Sequence, residues 1–328
     1  MTAPRRSDPR PTAELERAVS ALGEGARPAG PPRDGAQARR RPGWLLPAGL
    51  FLLTAVTTTW AQGPAYSVTL LAILLAHEMG HYLTAKRERV PASLPHFIPL
   101  PPILGFGLGT LGAVIRMDGS RADRRQLLEI GAAGPIAGFL VAVPAMILGL
   151  RWSQPTVVGP DEPLLYFGGS ILSTALEAWF GPPLAPDQEL LAHPVYIAAW
   201  AGFLVTALNL LPMGQLDGGH VLHAAFPRSS HRIARRLHRA LVVLGLLGLA
   251  VVLSPELDPE LGAALAPLRP WVSPGLLVWA LLAGWLGIEH PPAPEPRRPI
   301  RWPQWVLMVL SAVILVLCFM PSPVYTPL

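Results

Sequence analysis

Cysteine is almost absent from this chain. Cys318 stands alone in an apolar run, which excludes an intramolecular disulfide and any cysteine-ligated zinc centre. Charge is scarce too: 14% of the 328 residues are charged and 51% are hydrophobic, with a mean hydropathy of +0.39. That balance excludes an ordinary soluble enzyme and makes a bilayer the natural solvent. The pattern of a secretory signal peptide is missing as well. Residues 1–43 are rich in Pro, Arg, Gly and Ala and hold no short apolar core before a small-residue cleavage site. They read as a disordered cytoplasmic tail, with a short helix at most over Thr12 to Leu22. A pI near 10.0 does not signal nucleic acid here, because the basic residues alternate with apolar spans and no nucleic-acid motif accompanies them.

What is abundant is apolar sequence in lengths near the ~20 residues of a helical crossing. Such runs occupy Trp44–Gln62, Pro64–Tyr82, Leu127–Leu150, Pro194–Leu216, Ala240–Ser254, Trp271–Gly287 and Pro303–Met320, the fifth being the shortest. Basic residues collect in the tail and in 85–124, 227–239 and 290–302, whereas 151–193 and 255–270 hold only Arg151 and Arg269. By the positive-inside rule the first set is cytoplasmic, giving seven spans with the N-terminus inside. The expected fold is therefore an all-α polytopic membrane protein. Three segments follow: the tail 1–43, a core over 44–225, and C-terminal transmembrane helices over 226–328.

Against this apolar background, His77-Glu78-Met79-Gly80-His81 is conspicuous. On a helix the two imidazoles share one face and can hold one Zn²⁺, with the Glu78 carboxylate beside it. The alternative on this motif alone is a pair of histidines hydrogen-bonded between helices. A catalytic zinc needs a third protein ligand. Thr84 to Val90 contains no histidine, so the solution with a third His just after the motif is absent. Asp217 is the best remaining donor: it ends the uncharged stretch Pro194 to Leu216, and Gly218-Gly219 gives the backbone freedom to turn its carboxylate inward. The alternative is a helix-end Asp bonded to that glycine backbone. Sidedness brings the two halves together, since the second and fourth spans both run inward and end near the cytoplasmic face.

His77-Glu78-Met79-Gly80-His81 followed by Asn209-Leu210-Leu211-Pro212-Met213-Gly214-Gln215-Leu216-Asp217-Gly218 resembles the site-2 protease family of intramembrane zinc metalloproteases. The resemblance covers most of residues 44 to 225. It extends to Gly105–Ile115, similar to the family's membrane-associated β-hairpin, and to Gly131-Ala132-Ala133-Gly134-Pro135-Ile136-Ala137-Gly138, similar to its third core-helix motif. Small residues at the latter spacing also serve ordinary close helix packing. The outward loop 151–193 is too short for the PDZ domain that many relatives insert there.

The resemblance implies one Zn²⁺ per chain, held by His77, His81 and Asp217. It implies Glu78 as general base and Asn209 as a donor to the oxyanion, on nearly the face of Asp217 if the helix continues; an interhelical hydrogen bond is the alternative for Asn209. Prolines at 91, 95, 99, 101 and 102 forbid a regular helix before the glycine-rich hairpin, so 91–118 reads as a re-entrant segment whose edge pairs with substrate, or as a covering loop. Ile171, Leu172, Ala175, Leu176, Trp179 and Phe180 form one apolar stripe, suited to an interfacial helix or to simple packing. His220 and His223 read as solvated or as packing behind the site, and His96 and His193 receive no role. The implied substrate is a membrane-embedded protein, for instance a single-span regulator. The absence of an organelle-targeting pattern points to a bacterial inner membrane. A non-catalytic zinc-binding membrane protein or a metal transporter is the competing class.

Overall fold

The computed structural model describes residues 43–104, 107–117, 122–157, 166–269, 271–290 and 299–325. The expected tail lies outside them apart from Gly43, as do the hairpin tip at 105–106 and part of the 151–193 loop. The described chain is mostly helical. Three helices are long and apolar enough to cross a membrane: α1 (Leu45–Arg87), α2 (Arg124–Trp152) and α6 (Ser230–Leu257). Shorter apolar helices are α3 (Ile171–Phe180), α4 (Pro194–Leu210), α8 (Gly275–Leu286) and α9 (Trp302–Cys318), while α5 (Asp217–Ala225) and α7 (Pro259–Leu265) are short connectors.

α1 is two helical arms and not one rod. Gly63 has φ 85° and ψ 173°, a conformation that interrupts the helix and that side chains with a Cβ rarely adopt, and Pro64 follows it. Thr58 and Ser67 lie nine residues apart, which a straight helix would separate by about 13 Å. Their hydroxyls are 2.7 Å apart, and Ser67 also donates to the Ala55 carbonyl at 3.2 Å, so the chain doubles back at Gly63. The arms 45–62 and 64–87 correspond to the first two expected spans.

β1 (His96–Pro99) pairs antiparallel with β2 (Thr110–Val114), with an irregularity between Phe97 and Pro99. β2 ends at Val114, and beyond it an isolated bridge between Met117 and Ala92 continues the pairing. The hairpin is fixed to both arms of α1. Thr57 donates to the Gly109 carbonyl at 2.6 Å, the Tyr66 hydroxyl to that of Leu108 at 3.0 Å, and the Phe97 ring meets Phe51 edge-on at 5.0 Å.

α2 begins with a reciprocal capping box: Asp123 accepts from the Gln126 amide, and Gln126 Oε1 accepts from the Asp123 amide, both at 2.9 Å. Caps of this kind contribute about 1 kcal/mol. α4 opens with Pro194 in its first turn, where a missing N–H costs nothing, and with His193 Nδ1 accepting from Val195. His193 thus serves as a cap.

Three features depart from the sequence reading. The fourth run does not stay helical to Leu216: α4 stops at Leu210, because Pro212 removes a donor and Gly214 sits at φ 53°. The sixth run, expected from Trp271, is helical only from Gly275, since Pro274 precedes it. Two further two-stranded pairings join distant segments, β3 (Gln154–Val157) with β5 (Gln188–Leu191) and β4 (Tyr166–Phe167) with β6 (Val324–Tyr325). Conversely, the fifth run sits inside a continuous helix, α6, long enough to cross without strain.

Candidate metal centre

The second arm of α1 carries His77, Glu78 and His81 on its buried side, with 3%, 5% and 5% exposure. α2 crosses this arm at its small residues. A Cβ on Gly134 would overlap the His81 ring, one on Gly138 would lie 3.2 Å from the His77 Cβ, and one on Gly80 would meet the Ala133 carbonyl at 2.5 Å. Glycine here buys proximity: the imidazoles lie directly against the α2 backbone. The 131–138 motif, similar in sequence to the family's third core-helix motif and also compatible with ordinary close packing, packs closely at the site itself.

α5 supplies the third group. Asp217 is its first residue, and the turn 211–216 brings it back to the histidines although the helix has broken. The backbone freedom expected of Gly218-Gly219 is not what demands glycine there, since neither has positive φ. Side chains at these positions would instead run into the Leu210 and Gly214 carbonyls, so the two glycines let α5 fold tightly onto the end of α4. At its other end, Arg124 Nε and a second guanidinium nitrogen donate to the Ala224 and Ala225 carbonyls at 2.8 and 3.2 Å. These are the orphan acceptors of a helix C-terminus, so α2 holds α5 along its axis.

Asp217 Oδ2 is 3.2 Å from His77 Nε2 and 3.2 Å from His81 Nε2, and the two imidazole nitrogens are 3.1 Å apart. Among the described residues this is the one group of three such donors close enough to share an ion. Donor atoms this close together would be within reach of one zinc ion, which binds such ligands at ~2.0–2.1 Å. His81 Nδ1 donates to the Ile130 carbonyl at 2.7 Å, which fixes the tautomer and leaves Nε2 as a lone-pair donor facing Asp217. Two imidazoles and a carboxylate are a donor set of the kind zinc takes at catalytic sites.

Asn209 is also at this point, its amide nitrogen 3.3 Å from His77 Nε2. Asn209 and Asp217 thus both approach His77, although the helix ends at Leu210 and they do not share one helical face. Glu78 is buried and makes no hydrogen bond to a described residue, an uncommon state for a carboxylate unless chemistry requires it.

The family model for peptidase family M50 matches residues 65–253, which include the whole of this constellation. The chain belongs to peptidase family M50. Relatives of this M50 chain include the "probable zinc metalloprotease EGY1, chloroplastic" of Arabidopsis thaliana, 36% identical over 200 residues, which are 58% of this chain and 33% of that protein. The EGY1 of Oryza sativa subsp. japonica is 34% identical over 195 residues, 58% of this chain and 32% of that one. EGY2 of Arabidopsis thaliana is 32% identical over 192 residues, with 58% and 33% covered. The M50 chain thus spans about a third of the length of these curated relatives. These relatives are chloroplastic, which gives no support to the bacterial inner membrane expected from the sequence. No solved structure matches the chain.

Of the two readings given for His220 and His223, the structure shows packing. His223 is 5% exposed and not solvated, with Nδ1 3.1 Å from the Ser230 hydroxyl, and His220 Nδ1 lies 2.7 Å from His290 Nε2. Burial first, then the neighbouring imidazoles, push both His220 and His223 down to about 4, so both are neutral near pH 7. His290 lies 70 residues from His220, and no local pattern announces the pair.

Proposed function

We propose that this chain is an intramembrane zinc metalloendopeptidase acting on membrane-embedded protein substrates. The observation that carries the proposal is the meeting of His77, His81 and Asp217 at one point beside the buried Glu78, on helices apolar enough for a bilayer. His77, His81 and Asp217 would hold one Zn²⁺. Zinc bound there supplies Lewis acidity, polarising the scissile carbonyl and making water nucleophilic near neutral pH. Glu78 takes the proton of the attacking water and returns it to the leaving amine. The Asn209 amide donates to the oxygen on which charge develops. The Ile130 carbonyl holds the His81 ring in the orientation this requires. The β1–β2 hairpin, anchored on both arms of α1, is suited to receive an unwound substrate segment along its edge.

The test separates metal from chemistry. Glu78→Gln should retain about one zinc per chain and lose the ~10²–10⁴-fold supplied by general acid–base catalysis, whereas Asp217→Asn should lose zinc and cleavage together. Wild-type cleavage by Glu78→Gln, or tight zinc in Asp217→Asn, would defeat the assignment.

For topology we propose seven crossings, with the N-terminus cytoplasmic, a catalytic core over 44–225 and C-terminal helices over 226–328. The charge asymmetry of the connecting segments supports this. In a Cys318→Ser background, cysteines at the exposed positions Arg228 and Pro259 should label from opposite sides with an impermeant thiol reagent. Labelling from one side would remove the crossing by α6.

A further inference from the structure

A slot of about 720 Å³ runs between the end of α4 and helices α6, α8 and α9, and the peptidase chemistry does not use it. One end is polar. Gly168, Arg269, Ser273 and Ser322 line it there, and the Ser273 and Ser322 hydroxyls are hydrogen-bonded to each other. The rest of the wall is apolar, chiefly Leu237, Leu241 and Leu244 of α6, Leu276 of α8 and Leu315 of α9.

Two helices measure its depth. A Cβ on Gly248 would meet the Ser273 backbone at 2.5 Å, so Gly248 marks the polar end on α6. Leu237 lies eleven residues back along that helix, roughly 16 Å at 1.5 Å per residue. On α4, Trp200 Nε1 donates to the Gly168 carbonyl at 2.8 Å, and Leu211, at the helix end, is again eleven residues further on. Both helices thus give about half of the ~30 Å hydrocarbon core, the depth of one leaflet. Leu244 and Val316 in the wall are exposed, so the slot opens to the surrounding lipid.

Size and polarity select the occupant. A helix with side chains, 10–12 Å across, would fill about 1,250–1,800 Å³ over this length, more than the slot holds. An extended peptide would bring backbone N–H and C=O groups against leucines that cannot bond them. A hydrocarbon chain meets neither objection. At the polar end, Arg269 is the one basic residue of 255–270, and among the described residues no carboxylate pairs with its guanidinium. Trp271 beside it is 79% exposed, as suits an aromatic ring at the level of lipid headgroups.

We propose that the slot binds one phospholipid, an acyl chain lying along α6 and the phosphate resting on Arg269. The guanidinium fork matches two phosphate oxygens. Only one of the two serine hydroxyls donates in their mutual bond, which leaves the other proton for an ester or phosphate oxygen. The inner end of the chain reaches Leu211, where the turn leading to Asp217 begins.

The experiment uses the full-length protein, delipidated in detergent, and counts bound lipid by native mass spectrometry. Dipalmitoyl phosphatidylglycerol and dipalmitoylglycerol are the probes, alike in their tails and different in the phosphate. Wild type should take up one phosphatidylglycerol per chain and bind dipalmitoylglycerol at least about tenfold more weakly, the scale of a hydrogen bond to a charged group. Arg269→Gln, at an exposed position, should bind the two probes alike. Leu244→Trp, which places an indole in the slot, should weaken both. In membranes, benzoylphenylalanine in place of Val316 should crosslink to lipid. Equal binding of the two probes by wild type, a preference that survives Arg269→Gln, undiminished uptake by Leu244→Trp, or crosslinking of position 316 to a protein would overturn the proposal. None of these measurements involves zinc or cleavage, so their outcome is separate from that of the peptidase reading.

Discussion

The region around α1, α2, α4 and α5 and the region around α6, α8 and α9 are both apolar and helical, yet they are packed by different means. In the first, backbones touch: Gly80, Gly134, Gly218 and Gly219 each face a carbonyl or an imidazole with no room for a methyl group, and one at Gly138 would press on His77. In the second, backbones touch at Gly245, Gly248 and Gly275, but around a large void side chains do the spacing. A cavity of about 720 Å³ remains among Leu237, Leu241, Leu276 and Leu315, and Leu281 and Trp285 on α8 point outward with 73% and 81% exposure. Close backbone packing suits groups that must hold their positions to a fraction of an ångström, while leucine packing suits helices that need only stay associated with lipid and with one another.

Glycine substitutions test that contrast most directly. Gly134→Val should be the most damaging, because the new side chain occupies the space of the His81 ring. Overpacking costs about 1–3 kcal/mol and here also displaces a metal-binding group, so zinc content and thermal stability in detergent should fall together. A Gly134→Val protein with normal zinc would mean that α2 is less tightly seated than described.

A smaller effect is expected at Arg124, which reaches α5 only through two carbonyls at its far end. Arg124→Gln should cost on the order of 1–3 kcal/mol, the range for buried hydrogen bonds to a charged group, and should weaken zinc retention less than Asp217→Asn does. Equal losses for the two would show that the position of α5, more than the carboxylate, governs the site. The smallest change is expected at Gly284 on α8, where a Cβ would meet only the His238 Nε2 at 3.3 Å. Gly284→Ala should shift the melting temperature little and in the stabilising direction, since alanine gains up to ~1 kcal/mol of helix propensity. A marked destabilisation would erase the distinction between the two regions.

The same contrast explains what could be read from sequence. His77, Glu78, His81 and Asp217 are legible because each is a costly polar residue next to an apolar run, and cost marks function in a membrane. The break after Leu210 was hidden because Leu211, Met213 and Leu216 keep the run apolar while Pro212 and Gly214 end the helix. The pairings of β3 with β5 and β4 with β6 were hidden for another reason: strands of four and two residues are too short for alternation to show. The Ile130 carbonyl that orients His81 is main chain, and no side-chain pattern can announce it. His290 lies in a proline-rich segment far from α5, so its meeting with His220 depends on the packing of whole helices.

The distance along the chain between His81 and Asp217, 136 residues, also has a meaning in time. At synthesis rates of roughly 5–20 residues per second, the two histidines exist for about 7–27 s before the carboxylate that completes their site has been made. During that interval an imidazole pair without its third donor holds zinc weakly. Under the proposed function, firm capture of the ion waits for α4 and α5 to join α1 and α2, and a newly made chain stays inactive until its core has assembled.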